Sequence, residues 1–472
     1  GTGKSTILRD QIAAVVTKRA IKLSQLANAS AGFVGKETFK SGDYTRTVNK
    51  LHKDLTGFEL VIASSCNDAV SNIIDEVPTA EAVEPMLVAD FDYLTETASN
   101  IADKPCWGLI AAKLGNSKNV NNFFSRLLYS KATNNSDNLY HTLKHSKGDT
   151  NDWQEAVEEF NAALLHEANI RDQLTQIENL SDYIEAAPLT LLHEESQLSS
   201  LNSKLAETNL EIKRLSALNR TLTTEVEQIQ TRINTHAQLK PSILDRVNPF
   251  NSASNNWKAT NQALICEFSA LVSREDNCKK RLGSISADKA HTEAAITAAK
   301  NALDAFSANL EAKKTKLVTL TAEHNVDSNH DPMLAPWDSK CWQEARTRLF
   351  LKALNLHKAF IFGNGNKFAQ NLLAISSIAA SQCPLSLAPQ TRLAAWQNLF
   401  MITPLVSTTL SSVERRFFKL PLESFGWSMI DGSGQVSPAH VAGLVYRSKR
   451  LVPVGDPLQL ETISILPTDF QS

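Results

Sequence analysis

A heptad pattern across the middle of the 472-residue chain constrains its fold more than any other feature. From Trp153 to about His324 prolines are scarce, and apolar residues recur at alternating steps of three and four. The seam of the first arm runs from Leu198 to Ile233, and that of the second from Leu264 to Leu320. A register sustained over several heptads in each arm predicts coiled-coil helices.

The segment between the arms, KPSILDRVNPFNSASNN, contains two prolines and a Ser/Asn cluster, which end helices. We therefore expect the chain to reverse, so that residues 151–326 form an antiparallel coiled-coil hairpin. With a rise of 1.5 Å per residue, arms of about 60 to 70 residues would extend roughly 100 Å. Pro188 is expected to kink or interrupt the first arm.

The flanking residues, 1–150 and 327–472, contain short apolar runs typical of buried parallel strands. The runs are GFELVIASS (57–65), NLFMITPLVSTT (398–409), GWSMID (426–431) and RLVPVGD (450–456). Predicted helices accompany them, including KSTILRDQIAAVVTKRAIKL and SKCWQEARTRLFLKALNLHKAFIF. The fold class is therefore α/β. Strand carboxyl ends form the ligand crevice of open α/β sheets, so four side chains are expected to converge there: Ser64, Thr408, Asp431 and Asp456.

Composition excludes several classes of protein. Only 17 glycines and 16 prolines argue against a pure β-sandwich or barrel. A net charge of -2 argues against an unselective nucleic-acid coat but allows a local basic groove. No apolar stretch approaches the roughly 18 to 20 residues that cross a bilayer, so no membrane partner is expected. Six cysteines without a CxxC pair indicate neither a disulfide framework nor a zinc site, and favour a reducing, cytoplasmic compartment.

The chain opens on GTGKST, which corresponds to the second half of the phosphate-binding loop GxxxxGK[ST]. In such a loop, backbone N–H groups and a helix N-terminus cradle phosphates, the lysine reaches the β- and γ-phosphates, and the hydroxyl binds Mg²⁺. These roles would fall to Gly1, Thr2, Gly3, Lys4, Ser5 and Thr6. The same letters can also begin an ordinary helix. Because the first loop glycine and an initial Met are absent, we expect part of the natural N-terminus to lie upstream.

Two further segments place an aspartate at the end of an apolar strand. They are MIDGSGQ, with Asp431, and VGDPLQLE, with Asp456. A carboxylate at this position of a phosphate-binding fold can hold Mg²⁺ through water. An acidic strand end is equally typical of a turn or a helix cap. The shared placement of both segments after strands favours a nucleotide site.

Five segments together resemble the motifs of superfamily 1 helicases. In order, GTGKST, ASSCNDAVSNI, PLVSTTLSSV, IDGSGQVSPAHVAGL and VGDPLQLE resemble motif I, motif Ia, the strand before motif II, motif II and motif III. The nearest branch contains the nonsense-mediated-decay and DNA-replication helicases. The resemblance covers both ends of the chain but not the hairpin. It implies a RecA-like P-loop domain that binds ATP and Mg²⁺ and moves on single-stranded DNA or RNA.

The resemblance also implies roles for individual residues. Lys4 and Ser5 would contact phosphate and Mg²⁺, and Asp431 would hold Mg²⁺. Gln435 and Gln459 would sense the γ-phosphate. The nucleic-acid path would be lined by Ser64, Ser65, Asn67, Thr408 and Thr409.

Two departures from the family pattern affect the expected activity. Gly432 stands where the family carries the glutamate that orients the attacking water, and loss of such assistance costs about 10²- to 10⁴-fold in rate. The 472 residues stop shortly after VGDPLQLE, before the second motor domain and the arginine finger that the family carries, and such an arginine contributes roughly 10³- to 10⁵-fold. We expect the chain to be either a fragment of a longer helicase or a degenerate copy. We therefore expect an incomplete or degenerate ATP hydrolase that binds nucleotide better than it hydrolyses it.

Two other classes of protein remain open. Chromosome-maintenance and break-repair ATPases also separate their two nucleotide motifs by a long coiled coil, but the stretch before Asp431 lacks their LSGG loop. A pseudoenzyme scaffold, in which a nucleotide-binding fold displays the coiled coil, is favoured by Gly432. In either case the hairpin tip around Phe250 and Trp257 is a candidate surface for a protein partner.

Overall fold

The computed structural model describes residues 4–65, 77–79, 91–129, 138–148, 150–242, 252–324 and 339–455, without the side chains of residues 4–6 and 150. The chain divides into two compact units. The sheet unit comprises Gly1–Asp172 and Trp337–Ser472, and the helical-pair unit comprises Gln173–Pro336. Both are built mainly from helices, and the fold is α/β, as predicted.

The described helices are, in chain order, α1 (Lys4–Ser24), α2 (Thr95–Ala102), α3 (Ser117–Leu128), α4 (Leu139–His145), α5 (Thr150–Gln238), α6 (Ser252–Glu323), α7 (Lys340–Gly363), α8 (Gly365–Ala379), α9 (Pro389–Ile402), α10 (Leu410–Arg416) and α11 (Pro438–Arg447). The strands are β1 (Phe33–Ser41), β2 (Tyr44–Leu51), β3 (Leu60–Ser64), β4 (Ala111–Lys113), β5 (Leu405–Thr409), β6 (Trp427–Asp431) and β7 (Leu451–Val454). The predicted helices at the start of the chain and at 339–362 are confirmed as α1 and α7.

A five-stranded parallel sheet organises the sheet unit, in the order β4-β5-β3-β6-β7. All residues of β3 and β5 are buried, which explains their continuous apolar or small-residue sequences. The predicted strand at 398–409 is partly wrong, because residues 398–402 finish α9 and β5 begins only at Leu405. Leu399 and Phe400 are core residues of that helix, and one apolar run does not distinguish a buried helix end from a strand.

An antiparallel hairpin of β1 and β2 was not predicted. Its turn uses Gly42 in a left-handed conformation, with φ of 58°. The hairpin is fixed to the neighbouring helices through Asn49. The Asn49 backbone N–H donates to Asn371 Oδ1 at 2.7 Å, and its carbonyl accepts from Asn398 Nδ2 at 2.8 Å. Exposure alternates only over the last five residues of β1, 37–41, so the sequence of this strand carries no sustained period-two pattern that would have indicated it.

The helical-pair unit contains most of α5 and all of α6. Every predicted seam position from Leu198 to Ile233 and from Leu264 to Leu320 is buried or half-buried. Contacts between late residues of α5 and early residues of α6, such as Trp257 Nε1 donating to the His236 carbonyl at 3.0 Å, show that the helices run antiparallel. Within the seam, Thr223 Oγ1 donates to the buried Glu275 carboxylate at 2.6 Å. This polar contact disfavours a shifted register.

Pro188 does not interrupt the first arm, contrary to that part of the prediction. It lies inside α5, which is continuous from Thr150 to Gln238. The residue is exposed, so its ring lies on the solvent side of the helix. A proline on the solvent side of a long helix is therefore tolerated.

A buried polar cluster connects α1 to the core of the sheet unit. Arg19 Nε donates to His357 Nε2 at 2.9 Å, and His357 Nδ1 lies 2.7 Å from the Ala353 carbonyl. Burial lowers the pKa of Arg19 to about 10 and holds the pKa of His357 well below its ordinary value. The nearby Glu59 is also buried, and burial raises its pKa. His357 is therefore neutral in the folded protein and acts as the acceptor for Arg19.

The free energy of unfolding of the sheet unit is expected to decrease as the pH drops below about 6.5, the ordinary pKa of histidine. In that range the unfolded chain binds a proton at His357 and the folded chain does not, which removes up to about 1.4 kcal/mol per pH unit. Urea unfolding followed by tryptophan fluorescence between pH 7.5 and 5.5 measures this. The raised pKa of Glu59 makes the free energy of unfolding change with pH in the opposite direction. The pH dependence of the wild type is therefore compared with that of His357→Gln, which keeps Glu59 and lacks the histidine. An equal pH dependence in the two proteins would contradict the assignment.

Candidate functional site

The carboxyl edge of the parallel sheet brings together the strand ends singled out in the sequence. Ser64 at the end of β3 pairs in register with Thr409 of β5 on one side and with Asp431 of β6 on the other. Neighbouring strands lie about 4.8 Å apart, so these three residues span roughly 10 Å of one edge. The predicted convergence of strand ends is therefore observed for the described residues.

The side chains at this edge differ in accessibility. Asp431 is half-buried and Ser65 is exposed. Ser64 is only 2% exposed, Thr409 is 5% exposed and Thr408 is fully buried. Thr409 Oγ1 donates to Ser412 Oγ at 2.9 Å, within the turn that leads into α10. Asp431 and Ser65 are thus the side chains at the edge that a ligand can reach directly, whereas Thr408 packs in the core.

The loop after β6 has a backbone conformation that glycine favours. Gly432 has φ of 70° and ψ of 38°, and it precedes a 3-10 turn over Ser433–Gln435. The Gln435 side chain is close to this glycine, because a Cβ at Gly432 would lie 3.9 Å from Gln435 Oε1. Gln435 is exposed and follows Asp431 at the same edge. The loop therefore places the Gln435 amide close to the residue that follows Asp431.

The end of β7 packs directly against the loop after β6. A Cβ at Gly455 would lie 2.5 Å from Ser433 Oγ and 2.9 Å from the Gly434 nitrogen. Only a glycine permits this approach without displacing the loop. The role of Gly455 was not predicted; its place in VGDPLQLE, next to an expected strand end, was the available signal. The two segments that resemble motifs II and III are thus in contact.

Several predicted site residues lie outside the described part of the structure. They are Gly1, Thr2, Gly3, Asn67, Asp456 and Gln459, together with the side chains of Lys4, Ser5 and Thr6. The backbone of α1 is helical from Lys4 onward, as a phosphate-binding loop requires of the residues that follow it. The proximity of Lys4 to Asp431 stays a prediction.

Two buried arginines of α10 and α11 have structural partners. Arg447 is buried, pairs with Glu414 at 2.9 Å, and donates to the carbonyls of Phe417 and Gly443. Arg416 is also buried and donates to the carbonyls of Leu114 and Ala379. Arg447 thus joins α11 to α10, and Arg416 joins α10 to the residue after β4 and to the end of α8.

The donor set at the edge agrees with the chemistry of Mg²⁺. This ion takes one or two protein oxygens and completes its octahedron with water and phosphate, so a single accessible carboxylate such as Asp431 is sufficient. Within the described ranges, no group of three or more His, Cys, Asp or Glu side chains forms a metal site made of protein ligands alone. None of the described helices combines the length and the apolar character needed to cross a bilayer.

Comparison with known proteins assigns no family to this arrangement. The chain matches no protein-family model, and neither the curated proteins nor the solved structures contain a match. The sequence motifs and the geometry of the sheet edge are therefore the features that indicate a function.

Proposed function

We propose that the sheet unit is the ATP-binding, RecA-like motor domain of a superfamily 1 helicase-like protein, with the helical pair inserted as an antiparallel coiled-coil hairpin. The observation that carries the proposal is the register of β3 with β6, which sets Ser64 beside Asp431 at the carboxyl edge. The contact between Gly455 and the loop after β6 adds support, because it joins the two segments that resemble motifs II and III.

In this proposal different residues at the carboxyl edge of the sheet bind different parts of the nucleotide. The N-terminus of α1 and Lys4 bind the phosphates, and Ser5 and Asp431 hold Mg²⁺. Mg²⁺, when bound, neutralises charge on the phosphate oxygens. Gln435 and Gln459 sense the γ-phosphate in this proposal, and Asp456, which follows β7 in the chain, contributes to the same nucleotide site.

Single-stranded DNA or RNA is the proposed partner of the β3–β5 side of the edge. Ser65 is exposed there and Asn67 follows it in the chain. Because Thr408 and Thr409 are buried, in this proposal they support the surface by packing rather than by touching the nucleic acid.

Magnesium-dependent nucleotide binding tests the proposal. We expect a fluorescent ATP analogue to bind with Mg²⁺, and Asp431→Asn and Lys4→Ala each to weaken binding at least about tenfold, the equivalent of 1.4 kcal/mol. Asp431→Asn should have a much smaller effect in EDTA, because its carboxylate acts through the metal. Asp304→Asn, an exposed aspartate of α6, is the matched control. Absence of binding, or equal affinities for Asp431→Asn and Asp304→Asn, would refute the proposal.

Gly432→Glu is expected to raise nucleic-acid-stimulated ATP turnover at least about tenfold, because it restores a carboxylate that can orient water. The left-handed backbone at Gly432 costs a non-glycine residue about 1 to 2 kcal/mol, so the variant should also be less stable. Gly432→Ala introduces the same strain without a carboxylate and is the control. If both variants turn over ATP at the same rate, Gly432 does not replace a catalytic base.

A second candidate function is a nucleotide-binding scaffold that does not hydrolyse ATP. The favouring observation is the conformation of Gly432, which suits glycine and places no carboxylate beside Asp431. Tight binding with no turnover in either the wild type or Gly432→Glu would select this candidate.

A further inference from the structure

A cavity of about 970 Å³ lies among α1, the first part of α5 and α7, and none of its lining residues belongs to the carboxyl edge of the sheet. The α1 wall carries small residues, Ala13, Ala14 and Thr17, which leave the space open. Across from them stand Trp342 of α7 and Glu167 of α5. The volume falls in the range that drug-sized ligands occupy in proteins.

The inner surface of the cavity is apolar and aromatic. It includes Val77, Trp107, Ile110, Leu349 and Phe350. The Trp107 and Phe350 rings contact each other edge to face, with centroids 6.0 Å apart. Such a surface favours a flat apolar body.

One polar contact inside the cavity is buried. Glu167 is 6% exposed, and one of its carboxylate oxygens accepts the Trp342 indole N–H at 3.0 Å. This hydrogen bond holds the Trp342 ring as part of the wall. The shape of the cavity is therefore set by a defined contact.

The charges around the cavity leave an excess of two positive groups. Each lining acid has a basic neighbour in the described structure: Arg346 lies 2.9 Å from Asp10, Arg171 lies 3.6 Å from Glu167, and Lys340 lies 3.9 Å from Glu344. Two lining cations, Arg9 and Lys18, have no carboxylate within ion-pair distance among the described residues. They flank the open face of α1 on opposite sides, because nine residues make about two and a half turns of a helix.

We propose that this cavity binds a small organic anion with a flat, apolar body, such as an aryl carboxylate or sulfonate. The apolar inner surface takes the ring system, and Arg9 and Lys18 attract the anionic group at the opening. The inference does not depend on ATP binding, because it uses a different surface and different residues.

Titration with 8-anilinonaphthalene-1-sulfonate tests the proposal on the whole chain. We expect one saturable site per chain by calorimetry, and about tenfold weaker binding of the neutral analogue N-phenyl-1-naphthylamine. Arg9→Ala combined with Lys18→Ala should remove this preference for the anion. Lys204→Ala and Lys213→Ala, at exposed lysines of α5, form the matched control.

Filling the cavity supplies an independent readout. Thr17→Trp should weaken binding of the sulfonate at least about tenfold, since the indole occupies the ligand volume. Ala14→Phe serves the same purpose if Thr17→Trp lowers the melting temperature, and Ala206→Trp at an exposed site of α5 is the volume control. No saturable binding, or unchanged affinity in a folded cavity-filling variant, would overturn the proposal.

Discussion

Gly426→Ala is expected to prevent stable folding of the sheet unit. A Cβ at Gly426 would lie 1.9 Å from the Gly57 carbonyl oxygen and 2.4 Å from its carbon, and both atoms belong to the backbone. The close approach is locked by Glu59, whose carboxylate accepts the N–H groups of both glycines, at 3.1 Å from Gly57 and 3.2 Å from Gly426. Neither segment can move away from the other without losing these hydrogen bonds. We therefore expect the free energy of unfolding to decrease by at least about 3 kcal/mol.

Urea unfolding followed by tryptophan fluorescence, together with soluble yield, measures this loss. Gly283→Ala is the matched control, because a Cβ there has nothing within 4 Å. Gly283 lies inside α6, so its replacement by alanine should stabilise that helix by about 0.5 to 1 kcal/mol. A Gly426→Ala protein with the unfolding midpoint of the wild type would show that the two chain segments are not in contact.

His357→Ala is expected to destabilise the sheet unit by about 3 to 5 kcal/mol, because it leaves the buried Arg19 guanidinium without its side-chain acceptor. Arg19 Nη2 already has no hydrogen-bond partner, so no second acceptor in the described structure can replace His357. His357→Gln keeps an acceptor of similar reach and should lose less than about 1.5 kcal/mol. The double variant Arg19→Met, His357→Ala should be more stable than His357→Ala alone, because no buried charge is left.

Equilibrium unfolding of the wild type, Arg19→Met, His357→Ala and the double variant forms a double-mutant cycle. If His357→Ala unfolds within 1 kcal/mol of the wild type, on the order of experimental error for such comparisons, the Arg19–His357 contact contributes little. Additive losses in the double variant would contradict the coupling of α1 to α7 through this pair.

The strand ends were predictable because their signal is local. An apolar run that ends in Ser64 or Asp431 indicates a buried strand, and its polar last residue indicates where the strand leaves the core. The heptad seam was predictable for the same reason, since each seam residue repeats the spacing of the last. These two patterns were sufficient for four strands of the parallel sheet and for two long helices, whereas the short strand β4 was not predicted.

Other features depended on contacts between distant segments. The pairing of Arg19 with His357 joins residues of α1 and α7, and neither helix pattern indicates it. The close approach of Gly57 and Gly426 is likewise a property of the folded sheet. The burial of Thr408, predicted to line a nucleic-acid path, follows from its position on a central strand covered on both faces.

The central claim is that Lys4 and Asp431 enclose one triphosphate site. A crystal structure with a non-hydrolysable ATP analogue and Mn²⁺ tests it most directly, because Mn²⁺ replaces Mg²⁺ and is located by its anomalous signal. We predict the metal beside Asp431, the β- and γ-phosphates at the N-terminus of α1, and Lys4 Nζ within about 12 Å of the Asp431 carboxylate. A nucleotide bound elsewhere, or a larger separation of these two side chains, would contradict the account.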